Sequence, residues 1–200
     1  MSYSAPIEEM KFLLKDLFGI GKKYKIKKNI YLDDNTVDSI LEEVSKLAED
    51  IISPMNRDGD LHPAILKNGE VVLPESFSTA YNAIAEGGWI GISGKPKYGG
   101  LGLPLIITTC VNEIFSSSCL SLALNPLMTQ GQIDALEQHG SEEIKKIFLP
   151  KLNSGEWSGT MNLTEPHAGS DVGALSSKAR KLPDGTYRIT GQKIYVSWGD

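Results

Sequence analysis

Cysteine and histidine are scarce and scattered in this sequence. The two cysteines are Cys110 and Cys119, and the three histidines are His62, His139 and His167. None of them has the close pairing of a zinc site, and two cysteines in an apolar stretch do not make a disulfide framework. We therefore expect reduced thiols, no bound metal, and a fold that is stabilised by its own apolar core.

An excess of basic charge is missing as well. Twenty lysine and arginine residues face twenty-five acidic ones, which gives a formal net charge of −5. This balance argues against nucleic acid or an anionic membrane surface as the partner. The run "KKYKIKKN" at residues 22–29 is the local exception. We interpret it as a solvated basic loop, with contact to phosphate as the alternative.

Long apolar runs are also absent. No segment approaches the roughly eighteen residues that indicate a membrane span. The opening "MSYSAPIEEMKFLL" carries acids where a signal peptide needs basic residues. The sequence therefore predicts a cytoplasmic protein without a membrane span.

Apolar residues recur at helical spacing over residues 6–155. The clearest stripe runs from Val37 to Ile52, follows the capping candidates Asp33 and Asp34, and stops at Pro54. Five or six consecutive helices indicate a bundle. The other predicted segments are a helix at 6–19 with Met10, Leu13, Leu14 and Leu17 on one side, a long connection at 56–74, and helices at 75–85, 104–124, 127–139 and 142–152.

The pattern changes after Gly155. The segments "WSGTMNL", "SSKARKL", "TYRIT" and "QKIYVSW" are short and rich in strand-forming residues, and "PDG" and "TG" separate them as turns. We predict an α+β chain with a helical domain at 1–155 and the first part of an antiparallel β domain at 156–200. Because the chain ends at Asp200, straight after the last predicted strand, we expect the second domain to be truncated.

Two glycine- or serine-rich motifs give no sign of chemistry. "YGGLGLP", at residues 98–104, does not complete a dinucleotide fingerprint and follows helices where that fingerprint needs a strand. We interpret it as a tight turn before a helix. "SSSC", at residues 116–119, is predicted to lie within a helix and lacks a nucleophile elbow.

The segment "MNLTEPHAGSD", at residues 161–171, is the strongest candidate for a binding loop. Taken alone, it fits an elaborate turn between strands and a ligand loop equally well. The Thr164 hydroxyl and nearby backbone N–H groups could donate to a planar heteroaromatic ring. Gly169 and Ser170 would let the backbone approach phosphate oxygens closely. These features suit a large cofactor with a polar edge and a pyrophosphate.

Two motifs together resemble the acyl-CoA dehydrogenase family of flavoproteins. They are "TEPHAGSD" and, about thirty residues later, "GQKIYVSWG". The resemblance includes "YGGLGLP" and runs through essentially all of the chain, and the opening is similar to the methylmercaptopropionyl-CoA dehydrogenase subgroup. It implies an all-α bundle followed by the beginning of a β-barrel or sandwich domain.

The resemblance also implies a site for FAD. It puts Met161, Leu163 and Thr164 against the flavin, with Thr164 and main-chain N–H groups at the N1/O2 edge. Ser170 would also contact the acyl-CoA substrate. The remaining implied contacts are Gly169 and Ser170 at the pyrophosphate, Tyr195 beside the ring, and Ser197 near flavin N5.

The implied reaction belongs to fatty acid metabolism. A carboxylate removes the α proton of an acyl-CoA thioester, the β hydrogen leaves as hydride to flavin N5, and a trans-2-enoyl-CoA results. Because the family's base glutamate lies in a later domain, we expect no catalytic residue here, a structural role for Glu165, and an inactive segment when isolated. The resemblance further implies homo-oligomerisation and an electron-transfer flavoprotein or similar acceptor.

Two alternatives remain open at this point. One is an acyl-CoA oxidase or a relative of nitroalkane oxidase, which shares the fold and differs in how oxygen reaches the reduced flavin. The other is a non-catalytic helical module that assembles with a partner through its exposed faces.

Overall fold

A computed structural model describes residues 3–20 and 32–199 of the chain. The chain divides into two compact units, Met1–Gly159 and Thr160–Asp200, which we call the helical unit and the motif unit. The lysine-rich run at 22–29 lies outside the described residues.

The helical unit is built from helices and one small hairpin. Within the described residues its helices, in chain order, are α1 (Ile7–Lys11), α2 (Asp34–Leu47), α3 (Ser53–Leu61), α4 (Glu75–Glu86), α5 (Leu105–Ser118), α6 (Leu120–His139) and α7 (Glu142–Ser154). A π-helical stretch, Phe12–Leu17, extends α1, another at Ala48–Ile52 joins α2 to α3, and Pro96–Tyr98 form a 3₁₀ turn.

Helix α2 begins and packs as its sequence predicts. Asp33 is the N-cap, and its carboxylate accepts a hydrogen bond from the Thr36 backbone N–H at 2.8 Å. The stripe residues Val37, Leu41 and Val44 are buried. The capping prediction and the apolar face are therefore confirmed.

The prediction that this helix stops at Pro54 is wrong. Ile52 and Ser53 keep helical backbone angles, and the helical path continues through the π-helical stretch into α3 as far as Leu61. Pro54 stands in the first turn of α3, where a missing N–H removes no necessary hydrogen bond. The π-helical turn before Pro54 is wider than an α-helical turn. The distance between the proline ring and the carbonyl groups of that preceding turn therefore differs from the distance in an α-helix.

The first predicted helix forms, but its apolar stripe is only partly buried. Met10 and Leu14 are buried, whereas Leu17 is 59% exposed. The reason is the π-helical stretch, whose wider turn moves Leu17 off the face that α-helical spacing predicts. Gly19 follows with a φ of +62°, which agrees with its predicted role as the terminator.

The predicted long connection at 56–74 is wrong, because it contains the end of α3 and a hairpin. Strands β1 (Ile65–Lys67) and β2 (Glu70–Val72) pair antiparallel, with Ile65 opposite Val72. Asn68 and Gly69 form the turn with φ values of +55° and +86°. Asn-Gly is the preferred pair for such a two-residue turn, so the sequence carried this signal.

The boundary between α5 and α6 falls earlier than predicted. The helices separate at Cys119, which has extended backbone angles, and Pro126 lies inside α6. The motif "SSSC" therefore ends a helix and does not lie within one. Serines compete for backbone hydrogen bonds and favour such an end.

The predicted turn at "YGGLGLP" is confirmed. The Gly102 N–H donates to the Gly94 carbonyl at 2.9 Å, and Leu103 N–H donates to Ile92 at 2.9 Å. A Cβ on Gly100 would lie 2.1 Å from the Gly94 oxygen, so only glycine fits there. Pro104 then caps α5.

A cluster of buried side chains fixes α7 in the helical unit. Leu149 and Leu152 of α7 pack with Tyr98 and Ile133, and Leu136 covers the cluster. The Asn153 amide, also buried, donates to the Tyr98 carbonyl at 3.1 Å. These contacts tie the 3₁₀ turn to helices α6 and α7.

The motif unit contains one regular hairpin. Strands β3 (Lys178–Lys181) and β4 (Tyr187–Thr190) pair antiparallel, and Asp184 accepts hydrogen bonds from Thr186 in the turn. The unit also holds a 3₁₀ turn at Val172–Ala174. Together with the helical unit, this hairpin confirms the α+β class.

Two of the predicted strands are wrong. "WSGTMNL" and "QKIYVSW" form no regular strand and share a single antiparallel bridge, between Met161 and Ser197. Tyr195 and Trp198 have φ values of +55° and +51°. This left-handed conformation is incompatible with an extended strand and interrupts pairing on both sides of Ser197.

Candidate functional site

The segment at residues 161–171 is organised by a tight turn. The Glu165 N–H donates to the Ala168 carbonyl, and the Ala168 N–H donates back to the Glu165 carbonyl, each at 3.0 Å. Pro166 takes the second position of this turn, which its fixed φ favours. His167 is exposed at the tip, and its Nε2 lies 3.1 Å from the Ala174 carbonyl oxygen.

The Glu165 carboxylate lies at the centre of the motif unit and is only 2% exposed. The Ser176 and Ser177 backbone N–H groups donate to it at 2.8 and 3.0 Å. The Ser176 hydroxyl donates at 2.9 Å and the Lys193 ammonium at 2.8 Å. A buried carboxylate is therefore matched by donors from two distant segments.

This environment suits a structural acid and disfavours a proton acceptor. Hydrogen bonds from Lys193, Ser177 and Ser176 hold the pKa of Glu165 far below its usual range. A carboxylate with so low a pKa is a weak base, and both of its oxygens are already engaged. The geometry confirms the prediction that Glu165 orders the loop.

Lys193 brings the two motifs of the resemblance together. Its ammonium donates to the Leu163 carbonyl and to Glu165, both at 2.8 Å. The next residue, Ile194, donates its N–H to the Thr164 carbonyl at 3.0 Å. This hydrogen bond and the Met161 bridge to Ser197 fit one antiparallel register.

The residues that we predict to contact the cofactor differ in their exposure to solvent. Met161, Leu163 and Tyr195 expose large side chains, with Tyr195 at 84%. Thr164 is half-buried, and Ser197 is exposed. Two apolar side chains, an aromatic ring and two hydroxyls are therefore presented from the paired motifs.

Gly169 and Ser170 directly follow the turn that residues 165–168 form. A Cβ placed on Gly169 would be 3.6 Å from the Thr164 Cγ2, so this backbone passes close to Thr164. Ser170 is exposed, and Asp171 beside it accepts a hydrogen bond from the Gly173 N–H at 3.1 Å. The structure thus brings Gly169 near Thr164, and Asp171 shapes the chain after Ser170.

The donors expected at a flavin edge fit this arrangement. Thr164 and Ser197 lie on the two segments that the Ile194 N–H and the Met161 bridge pair in one antiparallel register. Tyr195 keeps a left-handed backbone beside Ser197, a strained conformation that is common at functional sites. The residues present are compatible with a planar ring that accepts hydrogen bonds along one edge.

Lys193 and the two serines that bind Glu165 were missed as site residues. Lys193 is the lysine of the quoted motif "GQKIYVSWG". One available signal was that the second motif carries a single base, Lys193, which can pair with one of the two acids of the first motif, Glu165 or Asp171. Ser176 and Ser177 gave no such signal, because their backbone N–H groups make the contacts.

Across residues 3–20 and 32–199, no group of three or more histidine, cysteine, aspartate or glutamate side chains is arranged to hold a metal ion. Among the helices that the structure describes, none combines the length and apolar character needed to cross a membrane.

Two curated proteins with similar sequences are named as dehydrogenases of acyl-CoA thioesters. The chain is 38% identical over 200 residues to 3-methylmercaptopropionyl-CoA dehydrogenase of Ruegeria pomeroyi, covering all of this chain and 34% of that protein. It is 33% identical over 206 residues to a butyryl-CoA dehydrogenase of Syntrophomonas wolfei, again covering all of this chain and 33% of that protein. The chain thus spans about a third of the length of these relatives.

Solved structures give the same assignment. A glutaryl-coenzyme A dehydrogenase in complex with glutaryl-CoA matches with a TM-score of 0.70 and 26% identity over 84% of this chain and 40% of that one. An acyl-CoA dehydrogenase of Bacillus anthracis complexed with FAD matches with a TM-score of 0.67 and 25% identity, over 80% of this chain and 26% of that one.

The family model described as "Acyl-CoA dehydrogenase, N-terminal domain" matches residues 35–156. This range covers more than half of the chain and runs from the start of α2 to just beyond α7. The protein therefore belongs to the acyl-CoA dehydrogenase family.

Proposed function

We propose that this chain supplies the flavin-edge residues of an FAD-dependent acyl-CoA dehydrogenase, which oxidises an acyl-CoA thioester to the trans-2-enoyl-CoA. The observation that carries the proposal is the pairing of the two motifs by Lys193 and Ile194. This pairing holds Thr164 and Ser197 in one unit. Support also comes from the relatives, which are named as acyl-CoA dehydrogenases.

FAD, when bound, would supply the hydride acceptor of the reaction. The Thr164 hydroxyl and the N–H groups beside it would donate to the N1/O2 edge of the ring, where negative charge gathers on reduction. Met161, Leu163 and Tyr195 would cover the ring with apolar surface. Ser197 would place its hydroxyl near N5, and Gly169 and Ser170 would contact the pyrophosphate, Ser170 also meeting the substrate.

Glu165 is not the base in this proposal. Its carboxylate accepts hydrogen bonds from Lys193 and from Ser176 and Ser177, and its pKa is depressed. Proton removal at the α carbon needs a carboxylate with a free oxygen. We assign that step to a group outside the described residues, and we expect the isolated 200-residue chain to bind FAD weakly and to be inactive.

The proposed partners follow from the reaction. The substrate is an acyl-CoA thioester, and the reduced enzyme would pass its electrons to an electron-transfer flavoprotein or similar acceptor. The family resemblance further favours a homo-oligomer.

An anaerobic titration tests this function. The gene product that contains this chain should purify with a flavin absorbance, and an acyl-CoA should bleach it. Reoxidation by an electron-transfer flavoprotein, and slow reoxidation in air, would indicate a dehydrogenase. Fast reoxidation in air would point to an oxidase, and a protein that binds no FAD would contradict the proposal.

A further inference from the structure

The contacts of Lys193 are centred on Thr164. Its ammonium binds the carbonyl of Leu163, the residue before Thr164, and the carboxylate of Glu165, the residue after it. Ile194 binds the carbonyl of Thr164 itself. Two successive residues of the second motif therefore hold three successive residues of the segment at 161–171.

These contacts fix the direction of one particular N–H group. The Leu163 carbonyl and the Thr164 N–H belong to one planar trans peptide, so they point in opposite directions. Holding the Leu163 oxygen at 2.8 Å therefore orients the Thr164 N–H. The neighbouring Glu165 N–H is already used, because it donates to the Ala168 carbonyl at 3.0 Å.

The need to neutralise the Glu165 carboxylate does not explain why the Lys193 ammonium also contacts the Leu163 carbonyl. The carboxylate is also bound by the Ser176 hydroxyl and by two backbone N–H groups. A lysine serving only as a counterion would have no need to reach the Leu163 carbonyl. The side chain is 26% exposed, so an ammonium that pointed towards water was a physical alternative.

We propose that Lys193 is a positioning residue, which locks the Leu163–Thr164 peptide so that the Thr164 N–H and hydroxyl meet the flavin edge. This inference rests on the proposed function. It assigns Lys193 a role that requires no contact with the flavin or the substrate. Lys193 acts through Thr164, so its removal should change the bound flavin as well as the stability of the motif unit.

The test compares Lys193→Met with Lys193→Arg and with Lys181→Met in the gene product that contains this chain. Lys181 is an exposed lysine of β3, so its replacement removes the same charge from the same unit. FAD dissociation, the absorption spectrum of the bound flavin and its midpoint potential are measured for each. Because a hydrogen bond to a charged group is involved, we expect Lys193→Met to weaken FAD binding by about ten- to one-hundredfold.

The spectrum and the potential separate positioning from simple stabilisation. We expect both to shift in Lys193→Met, to return towards wild type in Lys193→Arg, and to stay unchanged in Lys181→Met. A Lys193→Met protein that unfolds more easily but holds FAD with the wild-type affinity, spectrum and potential would overturn the inference.

A double variant covers the case in which Lys193→Met fails to fold. Lys193→Met with Glu165→Gln removes both charges of the pair and so avoids an uncompensated buried carboxylate. A folded double variant whose flavin properties differ from those of Glu165→Gln alone supports positioning, and one with the same flavin properties as Glu165→Gln alone overturns it. Wild-type protein without FAD would instead overturn the proposed function, a result that the wild-type sample alone reveals.

Discussion

The two units of this chain are ordered in different ways. In the helical unit, side chains such as Leu41, Ile84 and Leu149 are fully buried, as in the core of an ordinary globular domain. Among the described residues of the motif unit, only Glu165 and Ala168 are buried. One unit is organised around apolar side chains, and the other is organised around a charge.

This difference sets what each unit responds to. Burial of apolar surface is insensitive to pH, and it contributes most of the stability of the helical unit. The motif unit leaves Tyr187, Ile189 and Tyr195 exposed and depends on hydrogen bonds to one carboxylate. Its order should therefore depend on ionisation.

The largest effect should come from a core substitution in the helical unit. Leu149→Ala removes a fully buried side chain from the cluster around Tyr98 and Ile133. We expect a loss of about 2–5 kcal/mol in the free energy of unfolding, measured by urea denaturation. Leu66→Ala is the control, because Leu66 is 75% exposed in β1. Equal losses from the two variants would contradict an apolar core at α7.

The next largest effect should come from Glu165→Gln in the motif unit. The amide cannot match the charge that Lys193 and the Ser176 and Ser177 N–H groups now bind. We expect those two amide hydrogens to exchange about tenfold faster or more, followed by hydrogen exchange, while helix α7 keeps its protection. Glu143→Gln, on the exposed side of α7, is the matched control. Unchanged hydrogen exchange at both serines would contradict the claim that the motif unit is organised around the Glu165 charge.

Acid should affect the motif unit through the same carboxylate. The pKa of Glu165 in the folded chain is held below its ordinary value of 4.5, chiefly by Lys193. The stabilisation is therefore complete above pH 4.5 and is lost as the pH falls from there towards the depressed pKa. Hydrogen exchange at Ser176 across this range should show that loss in the wild type and not in Glu165→Gln. A profile that is identical in the two proteins would exclude Glu165 as the titrating group.

The smallest effect should come from an apolar residue of the motif unit. Ile189 is 77% exposed in β4, so Ile189→Thr removes little buried surface and keeps a β-branched side chain. We expect a change within about 0.5 kcal/mol by thermal unfolding. A loss as large as that of Leu149→Ala would show that Ile189 is buried in solution.

The correct predictions for the helical unit came from the helical periodicity of its apolar residues. The stripe from Val37 to Ile52 and the Asp33 cap depend only on local spacing and turn chemistry. The prediction that the helix stops at Pro54 was wrong because whether a helix tolerates a proline depends on the helical turn before it. The hairpin at Asn68 was readable from its Asn-Gly turn, but the polar, turn-rich composition of the segment 56–74 as a whole favoured a loop.

The motif unit was less predictable for a physical reason. Strand-forming residues around Tyr195 and Trp198 indicate an extended chain, yet both residues adopt positive φ values that no local pattern reveals. The structural role of Glu165 was anticipated, but its partners Ser176 and Lys193 are long-range contacts. The predicted cofactor contacts remain predictions, because they concern a molecule that the amino-acid sequence does not contain.

The most direct test of the proposed flavin edge replaces the Thr164 hydroxyl. Thr164→Val keeps the shape of the side chain and removes its donor, whereas Thr190→Val makes the same change on the exposed strand β4. FAD retention and the spectrum of the bound flavin are measured in the gene product that contains this chain. We expect weaker retention or an altered spectrum for Thr164→Val alone; wild-type retention and an unchanged spectrum in that variant would contradict the placement of Thr164 at the flavin.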